Sequence, residues 1–177
     1  AFNANSPEIK YTGRTEKTAN GEVSFNWSGT YLETGFTGSY VAIRASDTKR
    51  NYYNVFIDGV QTGVISVSGK DTTIVVAKWL KAGKHNLVLQ KRSEGEQGTT
   101  TIKSIILESP GTLIAATPKK DRHIEWSGNS ITCGYGTEGL VKTDPFKAET
   151  ENCNIAFSCI TARYFNADYT LIAHSGS

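Results

Sequence analysis

The stretch YYNVFIDGVQTGVISV (52–67) decides the fold of the first part of the chain. Two β-rich runs, YYNVFI (52–57) and VISV (64–67), flank the pair Asp58-Gly59. An aspartate followed by a glycine favours the tight hairpin turn in which both central residues have positive φ. Glycine adopts that conformation without strain because it has no Cβ. The stretch therefore predicts an antiparallel hairpin.

Similar β-rich runs surround this hairpin on both sides. They are EVSFNW (22–27), TYLETGF (30–36), YVAIRA (40–45), TTIVVAK (72–78), HNLVLQKR (85–92) and TIKSIILE (101–108). Four further turn pairs stand between strand candidates: Asn20-Gly21, Ser28-Gly29, Ser68-Gly69 and Ala82-Gly83. No helix-length periodic segment separates the runs, which argues against parallel βαβ units. We therefore predict an antiparallel two-sheet β-sandwich of jelly-roll type.

Aromatic residues in this part allow two interpretations. Trp27, Trp79 and the pair Tyr52-Tyr53 fit core packing or a plug at a sheet edge, because aromatic side chains bury large areas. The sharper alternative is a platform on which sugar rings stack. We favour packing, since a sandwich fold alone does not assign a function.

Composition excludes several classes of protein. Of 177 residues, 38% are hydrophobic and 20% are charged, which is typical of a globular chain. A net charge of +2 is too small for a polyanion-binding surface, so we expect no nucleic-acid partner. No window approaches the roughly 18 apolar residues of a membrane helix, so we expect no membrane partner. The opening AFNANSPEIKY lacks the features of a signal peptide, and we expect an already processed chain.

The organisation of the chain changes after Glu108. The connection SPGTLIAATPKKDR (109–122) contains two prolines, and we place a domain boundary near Pro118. This gives a jelly-roll domain over residues 1–118 and a second domain over residues 119–177. The first 132 residues contain no cysteine, so the first domain cannot be a disulfide-built scaffold.

The sequence of the second domain predicts a strand, a helix and a second strand. HIEW (123–126) fits a strand, and DYTLIAHSGS (168–177) supplies a nearly apolar parallel strand. ENCNIAFSCITARYFNA (151–167) predicts an amphipathic helix between them. Its apolar stripe comprises Cys153, Ala156, Phe157, Ile160 and Tyr164. One such unit leaves hydrophobic faces uncovered and cannot complete an α/β/α domain.

The three cysteines, Cys133, Cys153 and Cys159, fit neither a disulfide nor a metal site. Cys153 and Cys159 are six residues apart, which on a helix is ~9 Å of rise and beyond the reach of a disulfide. No C-x-x-C or paired-histidine spacing occurs in the chain. We therefore predict buried free thiols and no metal.

Ser130 lies where a predicted strand passes into a turn, in SGNSITCGYG (127–136). Unpaired N–H groups at the start of the following helix could stabilise an oxyanion there, and the strand would hold the hydroxyl at the edge of the sheet. The position suits a nucleophile. The simpler alternative is a serine that only caps the helix.

These residues resemble a known family. GNSITCGYG (128–136) is similar to the nucleophile block of the SGNH hydrolases, written GDSIT-x-GYG in their carbohydrate-esterase members. HSGS (174–177) resembles the next block, SG-x-G. A jelly roll followed by the start of an α/β/α SGNH domain, incomplete in this chain, resembles the layout of family 2 carbohydrate esterases.

The resemblance implies a secreted or otherwise extracytoplasmic bacterial serine esterase that removes O-acetyl groups from plant polysaccharides such as xylan. It implies that Ser130 is the nucleophile and also an oxyanion N–H donor, and that Gly176 is a second N–H donor. The substrate would be an acetylated polysaccharide or oligosaccharide, with no cofactor. Gly176 could alternatively be an ordinary turn glycine.

The chain departs from the family pattern at three points. Asn129 stands where the family has aspartate, so the side chain can accept a hydrogen bond but carries no charge. The family's oxyanion asparagine has no match in the chain, and neither does its catalytic histidine. We expect the remainder of the same polypeptide to supply both, and the isolated 177 residues to be inactive.

None of the three histidines is a strong candidate for the missing base. His123 begins the strand that ends near Gly128, ~16 Å away, which excludes it. His174 precedes Gly176 and fits a partly buried polar residue, with a role as base the weaker alternative. His85 opens a sandwich strand and fits a surface role.

Two other function classes stay open at this point. The sandwich could be a non-catalytic carbohydrate-binding module joined to a vestigial or truncated hydrolase segment. A general lipase or peptidase fits less well, because a jelly roll suggests a polymeric sugar, and that argument is an analogy of fold.

Overall fold

Ten strands, all paired antiparallel, form the first part of the chain in the computed structural model, which describes residues 1–177. Alternating β-branched and aromatic residues favour strands here, because they fit a pleated surface with one buried face. The strands are β1 (Phe2–Asn3), β2 (Lys10–Thr12), β3 (Glu16–Lys17), β4 (Val23–Phe25), β5 (Tyr31–Thr37), β6 (Val41–Ile57), β7 (Val60–Ala77), β8 (Lys84–Lys91), β9 (Thr100–Leu107) and β10 (Leu113–Ile114).

The long hairpin β6–β7 confirms the predicted turn. Asp58 has φ 52°, Gly59 has φ 79°, and Ile57 pairs with Val60. The strands are longer than predicted, because two β-rich runs join in each of them, giving 17 and 18 residues. Register shifts in β6 between Ala45 and Arg50 bend the hairpin. Ser68-Gly69, predicted as a turn between strands, lies instead within β7, opposite this irregular region.

The bent hairpin joins the two layers of the sandwich. The strand order is β10-β5-β8-β6-β9-β4-β3, with β1 on β9, β2 on β5 and β7 on β6. The first half of β6 pairs with β9 and its second half with β8. A cluster of 19 buried residues fills the core between the layers, and this confirms the predicted jelly-roll sandwich.

Two predicted aromatic positions differ in outcome. Tyr53 is fully buried in the core, and its ring packs edge-on to Phe25. Trp79 is 87% exposed and has φ 59°, so its predicted packing role is wrong. It follows the end of β7, where the backbone turns and no layer covers the side chain. Lys78 lies over its ring instead.

The second part of the chain contains the predicted strand–helix–strand unit. The two strands β11 (His123–Gly128) and β12 (Asp168–Ala173) pair in parallel, from His123↔Asp168 to Gly128↔Ala173. Between them lie α1 (Ser130–Cys133), α2 (Phe157–Tyr164) and the 3₁₀ turns Ala148–Thr150 and Cys153–Ile155. A further 3₁₀ turn, Gly95–Gln97, follows β8 in the sandwich. No helix has the length and apolar character needed to cross a bilayer.

The helix α2 is shorter than predicted and buries a different face. Ala156 has an extended backbone (φ −83°, ψ 161°), which separates the 3₁₀ turn from the helix. The helix buries its small residues Ser158, Cys159 and Ala162. Phe157 is 47% exposed and Tyr164 is 83% exposed, so the predicted apolar stripe is only partly covered.

All three cysteines are buried and free, as predicted. The reasoning from an intact helix is wrong, however, because Cys153 belongs to the 3₁₀ turn and Cys159 to α2. Both side chains pack in one small cluster with Leu171 of β12.

The second part packs on the outer face of the layer formed by β5, β8 and β6. Side chains alternate along a strand, so Leu32 and Leu89 point into the core while their neighbours Tyr31 and Gln90 point outward. Tyr31 donates a hydrogen bond to Asp168 Oδ1 at 2.6 Å, and Gln90 donates to the Tyr169 hydroxyl. These contacts fix β12 on the sandwich.

Candidate functional site

Ser130 is partly exposed and begins α1, directly beyond the carboxyl end of β11. Asn129 caps the helix, with its Oδ1 accepting the N–H of Ile131 at 3.1 Å. The amide thus makes the capping bond that the family's aspartate could make, without the charge. The chain turns sharply here, and a Cβ on Gly128 would collide with the side chain of Thr132. A close approach between strand and helix is therefore a reason for glycine at this position.

Gly176 lies on the neighbouring loop, at the same edge of the small sheet. Ala173 pairs with Gly128, so residues 174–177 leave β12 beside the start of α1. Two hydrogen bonds to Gly128 O join the loops, from His174 N at 3.2 Å and from Ser177 Oγ at 3.4 Å. Gly176 has φ 84°, a conformation that favours glycine. The structure brings Ser130 and Gly176 onto adjacent loops, and their chemical roles stay predictions.

The three histidines have partners other than Ser130. His174 Nε2 lies 2.8 Å from Oε1 of Glu96, which belongs to the 3₁₀ turn after β8 in the sandwich. His123 Nε2 lies 2.9 Å from Thr170 Oγ1, at the opposite end of the strands. His85 Nδ1 lies 2.7 Å from Asp58 Oδ2, and this hydrogen bond raises the pKa of His85. Each imidazole therefore has a local structural partner.

A buried carboxylate from the sandwich lies beneath both loops of the site. Glu94, in the turn after β8, is 1% exposed. Its Oε2 accepts the N–H of Ser175 at 2.7 Å and the thiol of Cys133 at 3.5 Å. One sandwich side chain thus contacts the end of α1 and the loop that contains Gly176.

Further buried ionisable groups surround Glu94. Glu151 Oε2 accepts the backbone N–H of Glu94 at 2.9 Å, and burial raises the pKa of Glu151 to about 8. Lys91 Nζ donates to Ser93 O at 2.6 Å and to Glu94 O at 3.2 Å. Burial lowers the pKa of Lys91 to about 8. The turn is therefore held by buried ionisable side chains.

Ligand atoms of Glu94, Cys133 and Glu151 lie within 4.8 Å of one another, a spacing that a metal ion could use. Metal ligation requires deprotonated groups. Burial raises the pKa of Cys133 to about 12 and the pKa of Glu151 to about 8, so both keep their protons at neutral pH. With Glu94 already accepting two hydrogen bonds, the arrangement fits a structural network better than a metal centre.

Sequence reasoning missed this cluster. The run KRSEGE (91–96) is polar and contains glycine, which is typical of an exposed turn. Lys91, Arg92, Ser93 and Glu94 are all buried, and the side chains of Arg92 and Glu94 contact the second part of the chain. This burial depends on contacts between segments that are far apart in the sequence.

The raised pKa of Glu151 predicts a dependence of stability on pH. The folded protein holds this proton up to about pH 8, whereas an unfolded chain releases it near the ordinary value of 4.5. The free energy of unfolding therefore loses this contribution as the pH rises from about 5 to 8. Glu151→Gln should remove up to about 1.4 kcal/mol per pH unit of that slope.

Urea unfolding of the wild-type chain and of Glu151→Gln at several pH values measures this effect. Glu149→Gln is the matched control, because the Glu149 side chain is exposed two residues away. The comparison is made between about pH 5 and 7, because Lys91, whose folded pKa is about 8, begins to lose its proton above that range. Parallel curves for wild type and Glu151→Gln would contradict the prediction.

A groove of about 210 Å³ lies beside the carboxyl end of β12. Its lining comes from the sandwich and from the second part: Asn26, Trp27, Gly95, Glu96, Ala173 and His174. Arg14 lies over the Trp27 ring, with its guanidinium carbon 5.6 Å from the ring centroid. The groove therefore presents an aromatic ring, a carboxylate and an amide close to the loop of Gly176.

Comparison with known proteins identifies the family. Residues 11–118 match the family model described as Carbohydrate esterase 2 N-terminal. The chain is 34% identical over 170 residues to the cellulase/esterase CelE of Acetivibrio thermocellus, covering 96% of this chain and 21% of CelE. It is 33% identical over 165 residues to an acetylxylan esterase/glucomannan deacetylase of Cellvibrio japonicus, covering 91% of this chain and 45% of that protein.

The solved structures agree with these relatives. A family two carbohydrate esterase from Clostridium thermocellum, solved in complex with cellohexaose, superimposes with a TM-score of 0.91 at 34% identity. The match covers 95% of this chain and 51% of that one. The chain thus spans about half the length, or less, of the relatives it matches. With the sandwich matching the family model and the fold matching across both parts, the chain belongs to carbohydrate esterase family 2.

Proposed function

We propose that this chain is part of a secreted bacterial carbohydrate esterase that removes O-acetyl groups from plant polysaccharides such as xylan through a serine acyl-enzyme. The observation that carries the proposal is the position of Ser130 at the start of α1, next to the loop that contains Gly176. Relatives named acetylxylan esterase support the reaction class. The neighbour solved with cellohexaose supports a carbohydrate ligand.

The proposed reaction has two steps. Ser130 Oγ attacks the acetyl carbonyl carbon while a histidine base takes its proton, and the N–H groups of Ser130 and Gly176 donate to the negatively charged oxygen. Collapse of the tetrahedral intermediate breaks the bond to the sugar oxygen, which takes the proton from the histidine. Water then attacks the acyl-enzyme by the same route and releases acetate, so Ser130 is restored.

The remainder of the polypeptide would supply the histidine and an oxyanion asparagine. The second part of the chain has a two-stranded parallel sheet, and such sheets are normally covered on both faces. Large apolar side chains around it stay exposed: Ile131, Leu140, Phe157, Ile160 and Tyr164. Further strands and helices of an α/β/α domain could bury these side chains.

Acetate release decides between the esterase and a binding module. The full-length polypeptide should release acetate from acetylated xylan and from a nitrophenyl acetate, whereas the 177-residue chain alone should release none. The matched substrate control is chemically deacetylated xylan, which should yield no acetate. Binding of acetylated xylan without any release by the full-length polypeptide would identify a binding module and overturn the proposal.

Trp27 is expected to contribute to polymer binding. Stacking of a sugar on this ring would be lost in Trp27→Ala, raising the KM for acetylated xylan about three- to tenfold. The KM for nitrophenyl acetate should stay unchanged, because that substrate has no neighbouring sugars. Trp79→Ala is the matched control, since Trp79 is exposed and does not line the groove. An unchanged KM for the polymer in Trp27→Ala would show that the ring only packs.

A further inference from the structure

We propose that Glu94 is a positioning residue of the esterase site, through which the sandwich sets the loop of Gly176 relative to the helix of Ser130. The inference rests on the proposed function and adds to it a role for the first domain. Glu94 would touch neither substrate nor reacting atoms. It would act through the backbone that it holds.

The contacts of the Glu94 carboxylate reach both loops. Ser175 N donates to Glu94 Oε2 at 2.7 Å, and Ser175 directly precedes Gly176 in the chain. The Cys133 thiol donates a hydrogen bond to the same oxygen at 3.5 Å. Cys133 lies about one helical turn after Ser130. A single oxygen therefore joins the two segments from which the oxyanion donors would come.

Glu94 is itself held from two other directions. Its backbone N–H donates to Glu151 Oε2 at 2.9 Å, and its carbonyl accepts from Lys91 Nζ at 3.2 Å. Burying a carboxylate is costly unless hydrogen bonds compensate for the lost hydration. The 1% exposure of Glu94 is thus matched by donors on the loop and helix it joins.

The loop of Gly176 needs such a constraint. Nothing lies within 4 Å of the place where a Cβ on Gly176 would sit, so side-chain packing does not fix this residue. An oxyanion donor must lie about 2.7–3.1 Å from the charged oxygen, and a misplacement of about 1 Å can cost on the order of 100-fold in rate. The Ser175–Glu94 hydrogen bond fixes the His174–Ser175 peptide, which directly precedes the peptide that carries the Gly176 N–H. The Ser177 hydroxyl, which contacts His174 O and Gly128 O, holds the other side of the loop.

The test compares variants of Glu94 in the full-length polypeptide with nitrophenyl acetate as substrate. Glu94→Ala should lower kcat about 10- to 100-fold with KM changed less than twofold, because only transition-state stabilisation is lost. Glu94→Gln should retain kcat within about threefold, since its amide oxygen can accept the Ser175 N–H. Glu149→Ala, an exposed glutamate, is the control and should match wild type.

Two further measurements keep the test decisive. Glu94→Asp keeps the charge but withdraws the carboxylate by one bond, ~1.5 Å, and should lower kcat about tenfold even if Glu94→Ala does not fold. Hydrogen exchange of the Ser175 amide should be at least about tenfold faster in Glu94→Asp than in wild type. Wild-type kcat in both Glu94→Ala and Glu94→Asp, or unchanged exchange, would overturn the positioning role.

The outcomes separate this inference from the proposed function. If Ser130→Ala is inactive while Glu94→Ala and Glu94→Asp keep wild-type kcat, the positioning role fails and the esterase stands. If Ser130→Ala keeps full activity, or the wild-type polypeptide releases no acetate, the proposed function fails and the inference falls with it.

Discussion

Replacing Ser130 by alanine is expected to lower acetate release by the full-length polypeptide about 10⁴- to 10⁶-fold. Alanine has no hydroxyl, so no acyl-enzyme can form, while the backbone N–H groups of residues 130 and 176 remain. The residual rate would then come from oxyanion stabilisation and substrate binding alone. This is the largest effect that any single substitution in the chain should have on activity.

Ser127→Ala is the matched control. Ser127 lies three residues earlier on β11 with an exposed side chain, and it should lose its hydroxyl without effect on kcat. The measurement is acetate released from acetylated xylan, together with circular dichroism to show that both variants fold. A Ser130→Ala protein that keeps more than about a hundredth of wild-type kcat would contradict the nucleophile assignment, since nucleophile loss costs far more.

The parts of the fold that depend on neighbouring residues could be predicted from the sequence. The β6–β7 hairpin follows from Asp58-Gly59, whose positive φ values the structure confirms. The strands β11 and β12 follow from their own local patterns, with a predicted helix between them. In both cases the local pattern and the overall fold require the same backbone conformation.

Features that depend on distant segments could not be predicted. β6 is one continuous strand because β9 pairs with its first half and β8 with its second half. The local sequence around Ser46 and Asp47 gives no sign of either pairing. The predicted burial of the apolar stripe of α2 is only partly right, because apolar spacing shows only which residues share a face of the helix. It does not show whether anything covers Phe157 or Tyr164.

The candidate site likewise contains residues that the sequence predicts and one that it does not. Short motifs indicate Ser130 and Gly176, and in the structure the loop of Gly176 is joined to Gly128, two residues before Ser130, by the hydrogen bond from His174 N. Glu94 carries no such motif, since its role depends on segments 39 and 81 residues away in the chain. The charged run KRSEGE (91–96) directly follows a core strand, and this is the feature of the sequence that hints at burial by another segment.

Replacing Arg92 by alanine is expected to lower the free energy of unfolding by about 1–3 kcal/mol. Its side chain is 4% exposed and bridges from the sandwich to the second part of the chain. It pairs with Glu138 and donates to Glu149 O at 3.2 Å and to Glu151 O at 3.4 Å. Alanine would leave the carbonyl groups of Glu149 and Glu151 without this donor. The Glu138 side chain is 38% exposed, so water would replace its lost partner.

The control is Arg44→Ala, which removes an ion pair of the same chemistry from the surface. Arg44 and Asp71 have side chains that are 50% and 45% exposed, so water replaces the lost partner and the urea midpoint should hardly change. Urea unfolding of the 177-residue chain, followed by tryptophan fluorescence, measures both variants. Equal midpoints for the two would show that burial of Arg92 adds nothing.

The location of Arg92 also predicts which part of the molecule opens first. All three cysteines lie buried in the second part of the chain, and none lies in the sandwich. If Arg92 mainly holds the two parts together, Arg92→Ala should expose these thiols at urea concentrations at which the sandwich is still folded. Thiol labelling should then precede the loss of β-sheet circular dichroism in the variant and coincide with it in wild type. Coincident transitions in the variant would place the lost stability in the sandwich itself.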